Sequence, residues 1–182
     1  MLEVTENKKH SELRFLEHHN YYSDQKLRRI LRDVKTFALV GASTVWRRPS
    51  YYAMTYLQHK GFKIIPINPA RVGDTVLGEE VYGSLADVPH QLDMVDIFRT
   101  SEEALDITKD VIENKDARGI KYLWMQLTVR NDVAAELAEE AGLEVVMDRC
   151  PKIEFGRLSG ELSWLGVNSG IITAKTLKSP KS

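Results

Sequence analysis

Leu39-Val40-Gly41-Ala42-Ser43-Thr44-Val45-Trp46-Arg47-Arg48-Pro49-Ser50 is the stretch whose residue types could do chemistry. An apolar run from Phe37 breaks at Gly41, and a loop holding Ser43 and the Arg47-Arg48 pair follows. Ser50 then caps a helical spacing of Ala53, Tyr56, Leu57 and Lys60. A strand, a small-residue turn and a helix start bring unpaired backbone N–H groups and a positive helix end to one point, which suits an anion. The stretch reads as the seat of a phosphorylated cofactor.

The elements that must position this loop follow from apolar periodicity. Strands are expected at 36–40, 63–68, 94–98, 122–127 and 144–147, as short apolar runs. Helical patterns separate them: 50–60 with Gly61 as a stop, one entered by Thr100 and Glu103 as a capping box, and one capped by Asn131 and stopped at Gly142. The last is expected to carry Val133, Ala134, Leu137, Ala138 and Ala141 on its apolar stripe. Residues 70–83 read as a polar excursion with turn points at Gly73 and Gly78. Before the first strand, Ser23 or Asp24 caps a short helix through Arg32, with Leu27, Ile30 and Leu31 inward. This alternation predicts an α/β fold with a mainly parallel five-stranded sheet and helices on both faces.

In such sheets ligands sit beyond the carboxyl ends of the strands, where the strand order reverses. That rule singles out Gly41, Ser43 and Arg48, then Asn68, Pro69 and Arg71, then Arg99, Gln126 and Thr128, then Asp148 and Arg149. Four are arginines, and phosphate is the natural counter-charge for guanidinium forks. A nicotinamide dinucleotide would want G-x-G-x-x-G and an acid after the second strand. Here the turn has one glycine and the strand ends in Asn68-Pro69, so the dehydrogenase reading is weak.

The ordered series Gly41-Ala42-Ser43, Arg48-Pro49-Ser50, Pro66-Ile67-Asn68-Pro69, Gly78 and Tyr82-Gly83-Ser84-Leu85 continues through 93–99, Trp124-Met125-Gln126-Leu127 and 146–150. It resembles the CoA-binding-domain proteins, stand-alone relatives of the CoA-binding domain of succinyl-CoA synthetase alpha subunits, over roughly residues 36–158. The resemblance implies a Rossmann-like, doubly wound fold that binds coenzyme A. Carried over, it places Gly41, Ala42, Ser43, Arg48 and Ser50 around the phosphates. Asn68, Pro69 and Arg71 would border the adenosine, with Phe98 and Arg99 closing the side and Gln126 near the pantetheine path. Trp46 and Arg47 depart from the family pattern, where small or flexible residues are more usual. The expected organisation is an N-terminal extension (1–35), the CoA-binding domain (36–158) and a C-terminal extension (159–182).

Composition bounds the alternatives. Among 182 residues, 43% are hydrophobic and 28% charged, with a net charge of −1, which argues against a general affinity for nucleic acid or acidic membranes. No apolar run approaches the ~20 residues that span a bilayer, and the first residues do not form a signal peptide. A cytoplasmic protein is expected, its single Cys150 kept reduced. Arg149 and Lys152 beside Cys150 would favour its thiolate, but no histidine of the core unit stands at a strand's carboxyl end to act as base. A structural or redox-sensitive cysteine is therefore expected, and no catalytic residue. His10, His18 and His19 have no carboxylate or cysteine at ligand spacing and read as solvated. Arg99 has a structural reading too, as a partner of Asp93, Asp96 or Glu102, and Trp124 reads as core.

The leading expectation is a binder of coenzyme A or an acyl-CoA, acting as sensor, carrier or regulator. The alternatives are a nucleotide-dependent oxidoreductase or CoA-thioester enzyme, and an interaction module whose 151–182 tail docks on another subunit. A homo-oligomer or an acyl-CoA enzyme as protein partner is left open.

Overall fold

A computed structural model describes residues 15–160. His10 and residues 161–182 of the expected C-terminal extension lie outside them.

Five short runs rich in Val, Ile, Leu and Phe become strands: β1 Thr36–Val40, β2 Lys63–Ile67, β5 Met94–Ile97, β6 Tyr122–Met125 and β7 Glu144–Val146. β3 (Thr75–Val76) and β4 (Glu79–Glu80) form a separate hairpin. The large sheet has the order β2-β1-β5-β6-β7, with every pairing parallel. Buried central strands with side chains alternating to opposite faces demand a cover on each side. On one face Ala38, Ile65, Val95, Ile97, Leu123 and Val145 pack with α3 (Ala104–Arg118) and α4 (Asp132–Glu140). On the other, Phe37, Leu39, Ile64, Met94 and Trp124 pack with α1 (Asp24–Asp33) and α2 (Pro49–His59), and Phe155 and Leu158 of α5 (Pro151–Leu158) join them. The fold is doubly wound and Rossmann-like. Its strand order reverses between β1 and β5.

Local capping follows the sequence closely. Ser23 Oγ accepts the Lys26 N–H at 3.2 Å, and Asn131 Oδ1 accepts the Ala134 N–H at 2.9 Å. The capping box forms both ways: Glu103 Oε2 accepts from Thr100 N (3.0 Å) and Thr100 Oγ1 from Glu103 N (3.3 Å).

Three expectations need correction. α2 begins at Pro49 with Arg48 as its N-cap, so Ser50 lies buried in the first turn instead of capping it. Proline suits that position because its missing N–H would have no helical partner there. Val133 is exposed on α4, because the buried face is set by Ala134, Ala135 and Ala138. The excursion after β2 contains the β3–β4 hairpin, whose tip, Leu77-Gly78, has φ of 48° and 84°. The turn stands at Gly78, where the sequence marks it, while Leu77 at positive φ hides the short strand pair around it from a residue-preference reading. The hairpin is held because Val76 and Val81 are buried, while Tyr82 exchanges hydrogen bonds with the backbone of Pro66 and Asn68.

Candidate functional site

The reversal between β1 and β5 creates a crevice at their carboxyl ends. Gly41 forms its floor with φ +91°, and a Cβ there would stand 2.4 Å from Phe98 O and 2.8 Å from Arg99 Cδ. Only glycine meets both the backbone angle and the close approach. The N–H groups of Gly41 and Ala42 both donate to Ile67 O, at 2.9 and 3.2 Å. They anchor the loop to β2 and are not available to a ligand.

Asn68 completes the anchor. Its Nδ2 donates to Ala42 O (2.7 Å) and its Oδ1 accepts from Ala70 N (3.0 Å), so one side chain ties the loops after β1 and β2 together. Pro69 and Arg71 form the short 3-10 turn that follows, exposed, with Arg71 3.7 Å from Asp74.

Beyond the anchor, the β1–α2 loop carries unengaged donors. Ser43 Oγ accepts the Val45 N–H at 3.1 Å, and Arg48 N donates to Val45 O at 3.0 Å. The N–H groups of Ser43, Thr44, Trp46 and Arg47 have no acceptor among the described residues. Arg48 is exposed and has no ion-pair partner among those residues, while Arg47 stacks on Trp46 with 5.5 Å to the ring centroid. The start of the eleven-residue α2 adds the positive end of its dipole. Free N–H groups, a cationic side chain and a helix start on one loop are equipped to hold phosphate oxygens.

Arg99 and Phe98 stand on the other wall. Arg99 pairs with Glu103 at 2.8 Å, not with Asp93, Asp96 or Glu102. Helix α3 brings Glu103 back over the strand end, whereas Asp93 accepts the backbone N–H groups of Lys35 and Thr36.

Gln126 is buried below the rim, where its Nε2 donates to both oxygens of Asp96 (3.1 and 3.0 Å). Asp96 is fully buried in β5, and burial pushes its carboxyl up to about 8 against the opposing hydrogen bond from Gln126. The buried Cys150 thiol is also pushed up, by burial first, with Asp96 adding to it. This overturns the expectation that Arg149 and Lys152 favour its thiolate. Arg149 donates to Asp148 O and leans on the Tyr22 ring instead. The sequence reading used Asp96 only as a partner for Arg99. The signal for its own role was an acid inside the apolar run Met94-Val95-Asp96-Ile97.

Thr128 and Asp148, after β6 and β7, have φ of 69° and 52°, and Asp148 Oδ1 accepts the Thr128 N–H at 2.7 Å. They brace each other. The structure thus brings Gly41, Ala42, Ser43, Asn68, Phe98 and Arg99 together around the crevice, with Arg48 and Ser50 at the adjoining helix start. Gln126 lies beneath, in the interior.

Comparison with known proteins agrees with this architecture. The family described as the CoA binding domain matches residues 35–156. An uncharacterized protein of Bacillus subtilis (strain 168), YneT, is 32% identical over 131 residues, covering 72% of this chain and 93% of its own length. A hypothetical protein from Pyrococcus horikoshii OT3 superposes with a TM-score of 0.69 at 34% identity, covering 76% of this chain and 94% of that one. Cell-free ID.343 from Thermus thermophilus does so with a TM-score of 0.70 at 34% identity, covering 75% and 99%. With the family match spanning the whole parallel sheet and the crevice at its switch point, this chain belongs to the CoA binding domain family.

Proposed function

We propose that this protein binds coenzyme A or an acyl-CoA in the crevice between β1 and β5, as a non-catalytic cytoplasmic sensor, carrier or regulator of an acyl-CoA enzyme. The observation that carries the reading is the β1–α2 loop: four N–H groups and an Arg48 side chain that have no partner among the described residues, at a helix start, in a chain of the CoA binding domain family. Ser43, Arg47 and Arg48 take the phosphates, with Ser50 in the helix turn beneath them. Asn68 holds the loop in shape through its own hydrogen bonds, while Pro69 and Arg71 border the adenosine. The exposed side chains of Trp46 and Val72 offer the adenine an apolar rim. Arg99 closes the other wall after leaving Glu103, and Gln126 supports the floor.

A non-catalytic role is favoured by what surrounds the crevice. Cys150 is held protonated by its burial, and the described histidines, at positions 18, 19, 59 and 90, stand at no strand's carboxyl end. The oxidoreductase alternative wants an acid where Asn68 stands, with that side chain already engaged on both atoms.

Thermal shift with CoA, dephospho-CoA and NAD tests the reading. Ligand at about 100 times its Kd should stabilise the fold by about 2.7 kcal/mol. CoA is expected to raise the melting point well above NAD, with dephospho-CoA weaker than CoA. Stabilisation by NAD in preference to CoA would transfer the case to the oxidoreductase, and no response to any of the three would favour an interaction module.

A further inference from the structure

We propose that His18, His19 and Glu139 form a binding site for a divalent transition-metal ion of the zinc class, with two imidazole Nε2 atoms and a carboxylate oxygen as ligands and solvent completing the shell. The site lies where the N-terminal segment crosses the last turn of α4, and it shares no residue with the crevice.

The geometry is that of a ligand set. His18 Nε2 is 3.1 Å from each oxygen of Glu139, and His19 Nε2 is 3.2 Å from Oε1. All three ligand atoms lie within 4.8 Å of one another. Metal–ligand bonds of about 2.0–2.1 Å in a tetrahedral shell place neighbouring ligand atoms about 3.3 Å apart. The ligands need to move only slightly to admit an ion.

His19 supplies the second observation. Its residue is 2% exposed, yet its Nε2 has no hydrogen-bond partner among the described residues, because the approach to Glu139 is close but not aligned for one. A buried ring nitrogen aimed at a carboxylate without a bond to it is the condition a metal ion would resolve. The other ring nitrogen is held: Nδ1 lies 2.7 Å from Tyr22 Oη, which accepts the Met147 N–H at 2.8 Å. In the tautomer whose Nδ1–H donates to the tyrosine oxygen, Nε2 presents its lone pair on the Glu139 side, and the Tyr22 contact serves as the outer hydrogen bond that orients an imidazole ligand.

Both segments are held in place independently of the ion. Arg130 donates to Leu16 O (3.0 Å) and Asn20 Oδ1 (2.9 Å), and Asp132 accepts the Leu16 N–H (2.9 Å). The His18 side chain is 54% exposed and that of Glu139 33%, leaving the remaining coordination open to water. Two imidazoles and a carboxylate favour Zn²⁺, Co²⁺, Ni²⁺ or Cu²⁺ over the oxygen-seeking Mg²⁺ and Ca²⁺. A bound ion would staple the N-terminal segment to α4.

The full chain, stripped with EDTA and dialysed, should be titrated with Zn²⁺ against a chromophoric chelator and with Co²⁺ by its visible absorption. About one equivalent per chain and a higher melting midpoint are expected. H18A and E139Q should each lose roughly tenfold or more in affinity, with their midpoints in EDTA close to the unsubstituted chain because both side chains are part-exposed. H59A should bind like the parent. CoA-induced stabilisation should be unchanged in H18A, so failure here is separable from failure of the crevice reading. Absence of stoichiometric Zn²⁺ or Co²⁺ binding would overturn the site, as would binding that neither H18A nor E139Q weakens.

Discussion

The two halves of the sheet's carboxyl edge use their polar groups in opposite ways. Beyond β6 and β7, polar groups are engaged with one another: Gln126 with Asp96, Thr128 N–H with Asp148, Arg149 with Asp148 O, and Trp124 Nε1–H with Arg149 O. Beyond β1, a layer of engaged groups (Gly41, Ala42, Asn68) supports a second layer, four backbone N–H groups and the Arg48 side chain, that has no hydrogen-bond or ion-pair partner among the described residues. Residue types alone do not separate the two halves, since each offers arginines and small polar residues at strand ends. Engagement separates them. A buried polar group is costly unless paired, so Asp96, Gln126 and the Trp124 N–H must be satisfied within the fold, while the open half can keep donors for a ligand.

The strongest way to break this contrast is Gly41→Ala. A Cβ 2.4 Å from Phe98 O at φ +91° should cost about 3–4 kcal/mol in chemical denaturation and abolish the CoA-induced shift. A fold that tolerates it would mean that the crevice floor is not set by that contact. Arg48→Ala should act on the ligand alone, weakening CoA by about 1.5–3 kcal/mol with stability unchanged. Equal affinity in a calorimetric titration would remove Arg48 from the site.

Asp96 sharpens the interior side through pH. An unfolded aspartate ionises near pH 4, whereas the buried one keeps its proton until about pH 8. Its ionisation therefore opposes folding increasingly across that window and levels off above it. Asp96→Asn should remove the dependence, gaining on the order of 3–4 kcal/mol relative to the parent between about pH 5 and about pH 8. Parallel urea midpoints for both proteins over that range would show that Asp96 is not the group responsible. The smallest effect belongs to Asp148→Ala, which frees the Thr128 N–H and should cost about 1 kcal/mol with CoA affinity unaltered. A change in affinity there would extend the binding half across β6.

What the sequence determined by itself is everything enforced within a few residues. The caps at Ser23 and Asn131, the Thr100–Glu103 box and the alternation of apolar strands with amphipathic helices were legible because their partners are near neighbours along the chain. The break of the apolar run at Gly41 was legible in the same way, whereas its close approach to Phe98 O was not. Only the tertiary structure decided which polar groups meet across the fold. It set Asn68 on Ala42 and Gln126 on Asp96, and it seated the hairpin through a leucine at positive φ. It also buried His19 and carried Glu139 to the histidine pair, supplying a carboxylate that no local spacing announces and correcting the solvated reading. Those pairings depend on strand order and helix packing, which join residues far apart in the chain, and no local pattern encodes them.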